Sequence, residues 1–414
     1  MLKVSKKDSF AFFSLLLLSA MMVFQSQLYV IKVVLVLIVL MHIVRERVIL
    51  SIPFSVFIIS YLLYGLWGLL VGILNLNPNP FSKITVSFFW PLLFGCIITQ
   101  IKIDRHYFML LKVMFYVHFG IVIYDLLFIC GTIVGFYVPN IYPSVETGFI
   151  FNNNSSRLDF TNLNILTFTM PVFYFLFITG CKFGVGAMKQ FVLIVLTMFL
   201  FLISGRRSVM LLFIALPFIS YFMKFILPKE IGKRISSFAK ILIVFFVLVI
   251  AAIGFLYPET LLFYADVFFK AFDSDREPIK FIQQEMLVEA FMEKPFCGYG
   301  FGHMFYEPNI GGRGIFAYEY ELQYHLKLAQ TGIIGFSLLI FSYFGTLFYG
   351  LYLAWKKKDI VFQAFLLGYF CILIIDGTNP ILNSFDLMMP LFLCWAKINT
   401  SSLQEKCGAN KCYL

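Results

Sequence analysis

A chain of 414 residues with 61% hydrophobic, 19% aromatic and only 13% charged side chains lies well outside soluble domains, which average about 25% charged residues. Its mean hydropathy of +0.89 excludes a soluble globular fold and leaves a polytopic membrane protein. The formal net charge of +10 follows the side of the membrane on which Lys and Arg fall, so no nucleic-acid partner is expected.

A membrane-spanning helix needs about 20 apolar residues. Suitable runs recur at 9–25, 28–44, 48–74, 84–100, 107–136, 161–180, 187–204, 208–227, 240–257, 332–355, 360–376 and 381–397. The spacing predicts an all-α integral membrane protein of about 12 transmembrane helices, one polytopic domain over 1–414, with a long extracytoplasmic loop (258–331) between the ninth and tenth. Helices rather than barrel strands are expected, because lipid leaves no backbone group unpaired and the runs lack barrel alternation. Lys3, Lys6 and Lys7 precede the first span without a small-residue cleavage site after it, which predicts a retained first helix. Arg45, Arg47, Lys102, Arg105, Lys182, Lys189 and Lys356–Lys358 fall on the side shared by both termini. The positive-inside bias makes that side cytoplasmic.

Some polar residues stand apart from this pattern. Lys32, Lys112 and His42 lie near span ends, where snorkelling accounts for them. Asp125 and Asp376 lie within or at the end of spans and either line an aqueous cavity or, for Asp125, bond a neighbouring helix. Outside the sixth span, Phe151-Asn152-Asn153-Asn154-Ser155-Ser156-Arg157 combines an arginine with amides that serve a sugar ligand or an ordinary turn equally well. Farther along, Ser204-Gly205-Arg206-Arg207-Ser208 joins two spans on the outside, against the charge bias. The planar guanidinium grips phosphate oxygens with two prongs, so Arg206 and Arg207 are read as a diphosphate site.

The loop at 258–331 holds 11 of the chain's 22 carboxylates. From Arg276 to Glu293 the apolar residues recur at helical steps, predicting an amphipathic helix on the membrane or the bundle, ended by Pro295. Gly298, Gly300 and Gly302 then predict a flexible turn of close backbone approach. A second helix from about Tyr318 is expected to carry Glu321, His325 and Leu328 on one face. Either Glu321 or His325 could serve as a general base. His303, Arg276 and Arg313 complete the candidate substrate-binding set with Arg157 and Arg206. No Gly-Lys-Ser/Thr phosphate loop or metal-ligand spacing occurs, so neither cofactor nor metal is expected. Cys297 is the one cysteine clearly outside, which excludes an external disulfide framework.

Taken in order, the serine-arginine element at Ser204–Ser208, the arginine-headed helix closed by Pro295 and the Gly-x-Gly turn, and Thr331-Gly332-Ile333-Ile334-Gly335 resemble the bacterial O-antigen polymerase and O-antigen ligase superfamily. The motif-level match covers about 151–164, 202–216 and 276–336. This resemblance implies a glycosyltransferase in the bacterial cytoplasmic (inner) membrane, acting on an undecaprenyl-diphosphate-linked oligosaccharide, with Arg207 in the most natural register of its motif. Membrane lipid is a further partner, and a chain-length regulator is left open. The ligase branch carries a His-Asn pair about eleven residues before the first glycine of the last motif; Glu321-Leu322 stands there instead. The expectation is therefore a repeat-unit polymerase, with a ligase as the nearer alternative. A flippase is the alternative of another class, disfavoured because no internal repeat is visible.

Overall fold

A computed structural model describes residues 6–25, 27–43, 49–84, 88–93, 103–142, 149–152, 155–158, 160, 162–204, 215–219, 278–305, 320–377, 381–384 and 386–410, with isolated positions at 244, 251 and 255. Among the described residues it is a helical bundle with one small hairpin. In chain order the long elements are α1 (Lys6–Val23), α2 (Tyr29–Ile43), α3 (Ile52–Leu74), α4 (Ile103–Val134), β1 (Phe149–Asn152), β2 (Ser155–Leu158), α5 (Leu163–Thr179), α6 (Ala187–Ile203), α7 (Pro278–Glu293), α8 (Gln323–Lys357), α9 (Ile360–Asp376) and α10 (Met389–Asn410). Among the described residues, three helices are long and apolar enough to cross a membrane: Ile52–Leu74, Phe108–Val134 and Gln323–Lys357. Shorter apolar helices account for α1, α2, α5, α6 and α9. The expected spans at 208–227 and 240–257 lie almost wholly outside the described residues, as does most of 84–100. The last expected span starts late. Residues 381–384 form a turn, Asp386–Met388 a short 3-10 helix, and α10 begins only at Met389.

Small residues and buried hydroxyls set the helix packing, as expected where lipid gives helices no hydrophobic reason to associate. Along the α3–α8 seam, Ser60 Oγ donates to Leu338 O (2.9 Å) and Ser342 Oγ to Phe57 O (3.0 Å), and Gly345 lets Phe57 approach. Tyr61 stacks on Tyr343 with ring centroids 5.9 Å apart. His118 on α4 is clamped between Thr169 of α5 (2.7 Å) and Thr197 of α6 (2.8 Å). Fully buried and satisfied on both ring nitrogens, it ties three helices together. Gly368 of α9 abuts Phe168 of α5, and Asp359, just before α9, acts electrostatically on Cys181, just after α5. The two helices are therefore antiparallel. One end of the bundle gathers Ser51, Cys181, Lys357, Asp359, Lys397 and Asn399, through contacts such as Asn399 Oδ1 to Ser51 N (2.6 Å) and Lys397 to Asp359 (2.8 Å).

Lys32 corrects the expectation of snorkelling. It is buried, pairs with Asp386 at 2.8 Å and donates to Phe24 O at 2.5 Å, which pins α2 to the turn before α10. Asp125 takes the bonding role: Asn162 Nδ2 donates to its Oδ1 (2.9 Å) and to Tyr142 Oη (2.8 Å). This links the far end of α4 to the entrance of α5.

The most consequential feature is a break in α8. Gly332 has φ 60° and ψ −173°, which separates the first turns from Gln323 to Thr331 from the long helix below. Carbonyls freed by such a break are costly in lipid unless re-paired. The segment 295–302 inserts and pairs them: Tyr299 N donates to Ala329 O (3.0 Å), Gly300 N to Gln330 O (2.7 Å), and Trp67 Nε1 to Thr331 O (3.0 Å). From the other side, Ile333 N donates to Pro295 O (2.8 Å). The glycines are thus needed for close approach but not for flexibility, since a Cβ on Gly300 would lie 2.1 Å from Gly72 N of α3. The turn is a wedge locked into the bundle.

Candidate functional site

The helix α7 begins with Pro278, whose fixed φ suits a first helical position, and it lays Leu287 on a small apolar cluster with Tyr320, Leu326 and Ala329. That docking brings Gln283 over the entrance to α8, where its Oε1 accepts from the backbone N of Glu321 (3.2 Å). Glu321 lies in a bend, because α8 starts at Gln323 and Leu322 caps it with non-helical φ/ψ. The expected helix from Tyr318 is therefore not formed at 320–322, and Glu321 and His325 are not an i, i+4 pair on one helix. The bend closes with Gln323 N donating to Glu321 O (3.0 Å). Both Glu321 and His325 are half-buried, a setting that exposes a functional group while restricting its geometry.

One turn farther along α8, a buried ion pair that sequence reasoning missed fixes this entrance. Lys327 Nζ meets Asp376 Oδ2 at 2.7 Å, and Asp376 Oδ1 accepts from Leu382 N, also at 2.7 Å. Asn383 Nδ2 donates to Gln323 Oε1 (2.6 Å), and Tyr324 Oη to Leu373 O (2.7 Å). Three of these bonds clamp the first turns of α8 to the end of α9 and the turn after it, and the fourth ties that turn to Asp376. The available signal was Asp376 itself. Its partner could not be read from sequence, because Lys327 lies 49 positions away in the chain and no local pattern points from one to the other. The chamber beside the pair, lined by Tyr61, Tyr64, Lys83, Gln330 and Asn383, has a volume of about 20 Å³. That is room for about one water molecule.

His303 lies on the aromatic face of the wedge, stacked on Tyr299 (centroids 4.3 Å) and edge-on to Phe305 (4.7 Å). Phe305 in turn meets Tyr320, the neighbour of Glu321, at 6.2 Å. Burial, and then the nearby Lys294 charge, lower the His303 pKa below the usual histidine value, so the ring is neutral at pH 7. Tyr299 is held by a hydrogen bond to Glu293, which raises its pKa, with burial adding to the effect.

Of the arginines, Arg157 lies on β2, whose register pairs it with Ile150. The next residue, Leu158, donates its backbone N to Ser204 O (3.2 Å). The hairpin is therefore stitched to the residue that opens the Ser-Gly-Arg-Arg segment, which brings two motifs almost fifty positions apart in the chain together at one point. Arg206, Arg207, Arg276 and Arg313 lie outside the described residues. With α5 and α9 antiparallel and in register at Phe168 and Gly368, Asp376 lies eight residues, about 12 Å, toward the end where α5 begins. The Lys327–Asp376 clamp and the hairpin thus share one end of the bundle.

Residues 191–340 match the family model described as O-antigen ligase. Over this stretch, about a third of the chain, the protein is similar to the O-antigen polymerase and ligase superfamily. The matched stretch includes Arg206, Arg207, α7, the wedge, Glu321 and His325, and stops short of Asp376. No curated protein matches the chain at a significant level. The match supports a glycan-handling membrane enzyme of this kind.

Proposed function

We propose that the protein is a polysaccharide repeat-unit polymerase. It transfers a glycan from an undecaprenyl-diphosphate-linked donor to a second lipid-linked repeat unit at the outer face of the cytoplasmic membrane. The observation that carries this reading is Glu321, held half-buried in the bend ahead of α8 by Gln283 from above and by the Lys327–Asp376 clamp from below. A carboxylate carried on a backbone fixed in this way suits a general base. It takes the proton of the acceptor hydroxyl as that oxygen bonds the anomeric carbon, and the bond from that carbon to the lipid diphosphate breaks. Negative charge develops on the departing diphosphate. Arg206 and Arg207 meet it, with Arg157, Arg276 or Arg313 assisting, since fixed cations act most strongly where charge appears in the transition state. His325, one turn into α8, either orients the carboxylate or shares its role, and His303 lines the sugar side.

The ligase reading stays second because the matching family model is described as O-antigen ligase. Glu321-Leu322 in the place of a His-Asn pair favours the polymerase. Glycan analysis of a deletion strain separates the two. A surface glycan of single repeat units is the expected result; long polymer left unattached to its final acceptor would move the assignment to a ligase, and precursor trapped on the cytoplasmic side to a flippase.

A further inference from the structure

The wedge that locks α8 has two faces. Phe301 on one side closes the polar chamber beside Lys327. The other side, at Phe296 and Cys297, forms with Trp67, Leu70 and Leu74 of α3 an open, mainly apolar groove of about 430 Å³. That volume falls in the range of sites that bury a small-molecule ligand, enough for a stretch of one hydrocarbon chain. The groove runs along the last two turns of a helix apolar enough to span the membrane, so it opens toward lipid. Its walls cannot spread, because Gly300 and Gly72 touch backbone to backbone behind it. At its mouth stands an ammonium. Lys294 Nζ bonds Asn75 Oδ1 (3.3 Å) and lies 4.3 Å from the Tyr299 ring, and among the described residues it makes no ion pair.

A single apolar cleft with a cation at the polar end complements a lipid with one chain and an anionic head. We propose that the groove holds the isoprenoid chain of the lipid-diphosphate donor, with its phosphate end at Lys294. This inference rests on the glycan-transfer reading above. A phospholipid, with two chains under one head, matches a single cleft less well.

Cys297 is a native reporter, since it lines the groove and its thiol is free and exposed; Cys130 on α4, also free and exposed, lies elsewhere and is the control. The experiment follows alkylation of both by N-ethylmaleimide in the purified protein in nanodiscs, resolved by peptide mass spectrometry. Undecaprenyl phosphate should slow Cys297 about fivefold at four times its dissociation constant and leave Cys130 unchanged. Lys294→Glu should remove the protection. Equal slowing by the same mole fraction of phosphatidylglycerol, or none by either lipid, overturns the proposal. If Cys297 does not react even without added lipid, Leu74→Cys at the exposed mouth supplies the same readout. Failure here leaves the deletion-strain result untouched, whereas protection in a protein whose deletion leaves the surface glycan normal rejects the transfer reading and keeps the lipid site.

Discussion

At the scale of single residues, burial and partner decide what each polar group does. Glu321→Gln keeps the shape of the bend and removes the base, so turnover should fall by roughly 10²–10⁴, measured with lipid-linked repeat units and purified protein. His325→Ala should cost less if it only orients Glu321. An active Glu321→Gln protein beside an inactive His325→Ala one would move the base to His325. Arg206→Ala and Arg207→Ala should each abolish polymer at near-normal protein level, with Lys a poor replacement because it lacks the planar fork. Polymer made normally by the double alanine variant would remove both from the site. Lys327 and Asp376 obey different logic. Either Lys327→Met or Asp376→Asn leaves one buried charge uncompensated, a loss of about 3–5 kcal/mol, while Lys327→Met with Asp376→Leu should recover most of it. Thermal unfolding in detergent measures the series; a double variant no better than the singles would show that the pair is not coupled.

At the scale of elements, the break in α8 and the wedge that fills it are one device. Gly332 sits at φ 60°, and a Cβ there would lie 2.2 Å from Phe296 O. Gly332→Ala should therefore cost at least about 1–3 kcal/mol from backbone strain alone, before the wedge is displaced. Limited proteolysis of inserted protein should show new cleavage within 295–302, where the wild type resists; an unchanged pattern would mean that the break tolerates a side chain. Sequence reading found these glycines and their closeness to backbone but took them for flexibility. The difference is physical. Gly-x-Gly-x-Gly reports only that no side chain fits, and the partner that excludes it, α3 at Gly68 and Gly72, lies more than two hundred residues away. The bend at 320–322 was missed for a similar reason, since Gln283 and the α7 cluster override the helical spacing of Glu321 and His325.

At the scale of the whole molecule, the bundle has two chemically distinct ends. One holds Lys356–Lys358 at the close of α8 and, through Lys357 Nζ to Gln404 Oε1 (3.2 Å), the last turns of α10. The other holds Glu321, the Lys327–Asp376 clamp and the hairpin tied to Ser204. On our proposal the charge bias puts the first end on the cytoplasmic side. An impermeant thiol reagent on spheroplasts should accordingly label Ser274→Cys and spare Gln404→Cys, the native cysteines being replaced; the reverse pattern would invert the topology and with it the mechanism. Sequence by itself determined the membrane class, the position of most described helices and the resemblance that the family match supports over 191–340, because apolar run length and local motif order are properties of neighbouring residues. Tertiary structure alone decided that Lys32 and Lys327 are ion-paired with Asp386 and Asp376, that Asp125 serves Asn162, and that Leu158 meets Ser204. Each of those joins elements distant in the chain, and a buried charge or backbone amide is satisfied only by whichever group packing delivers to it.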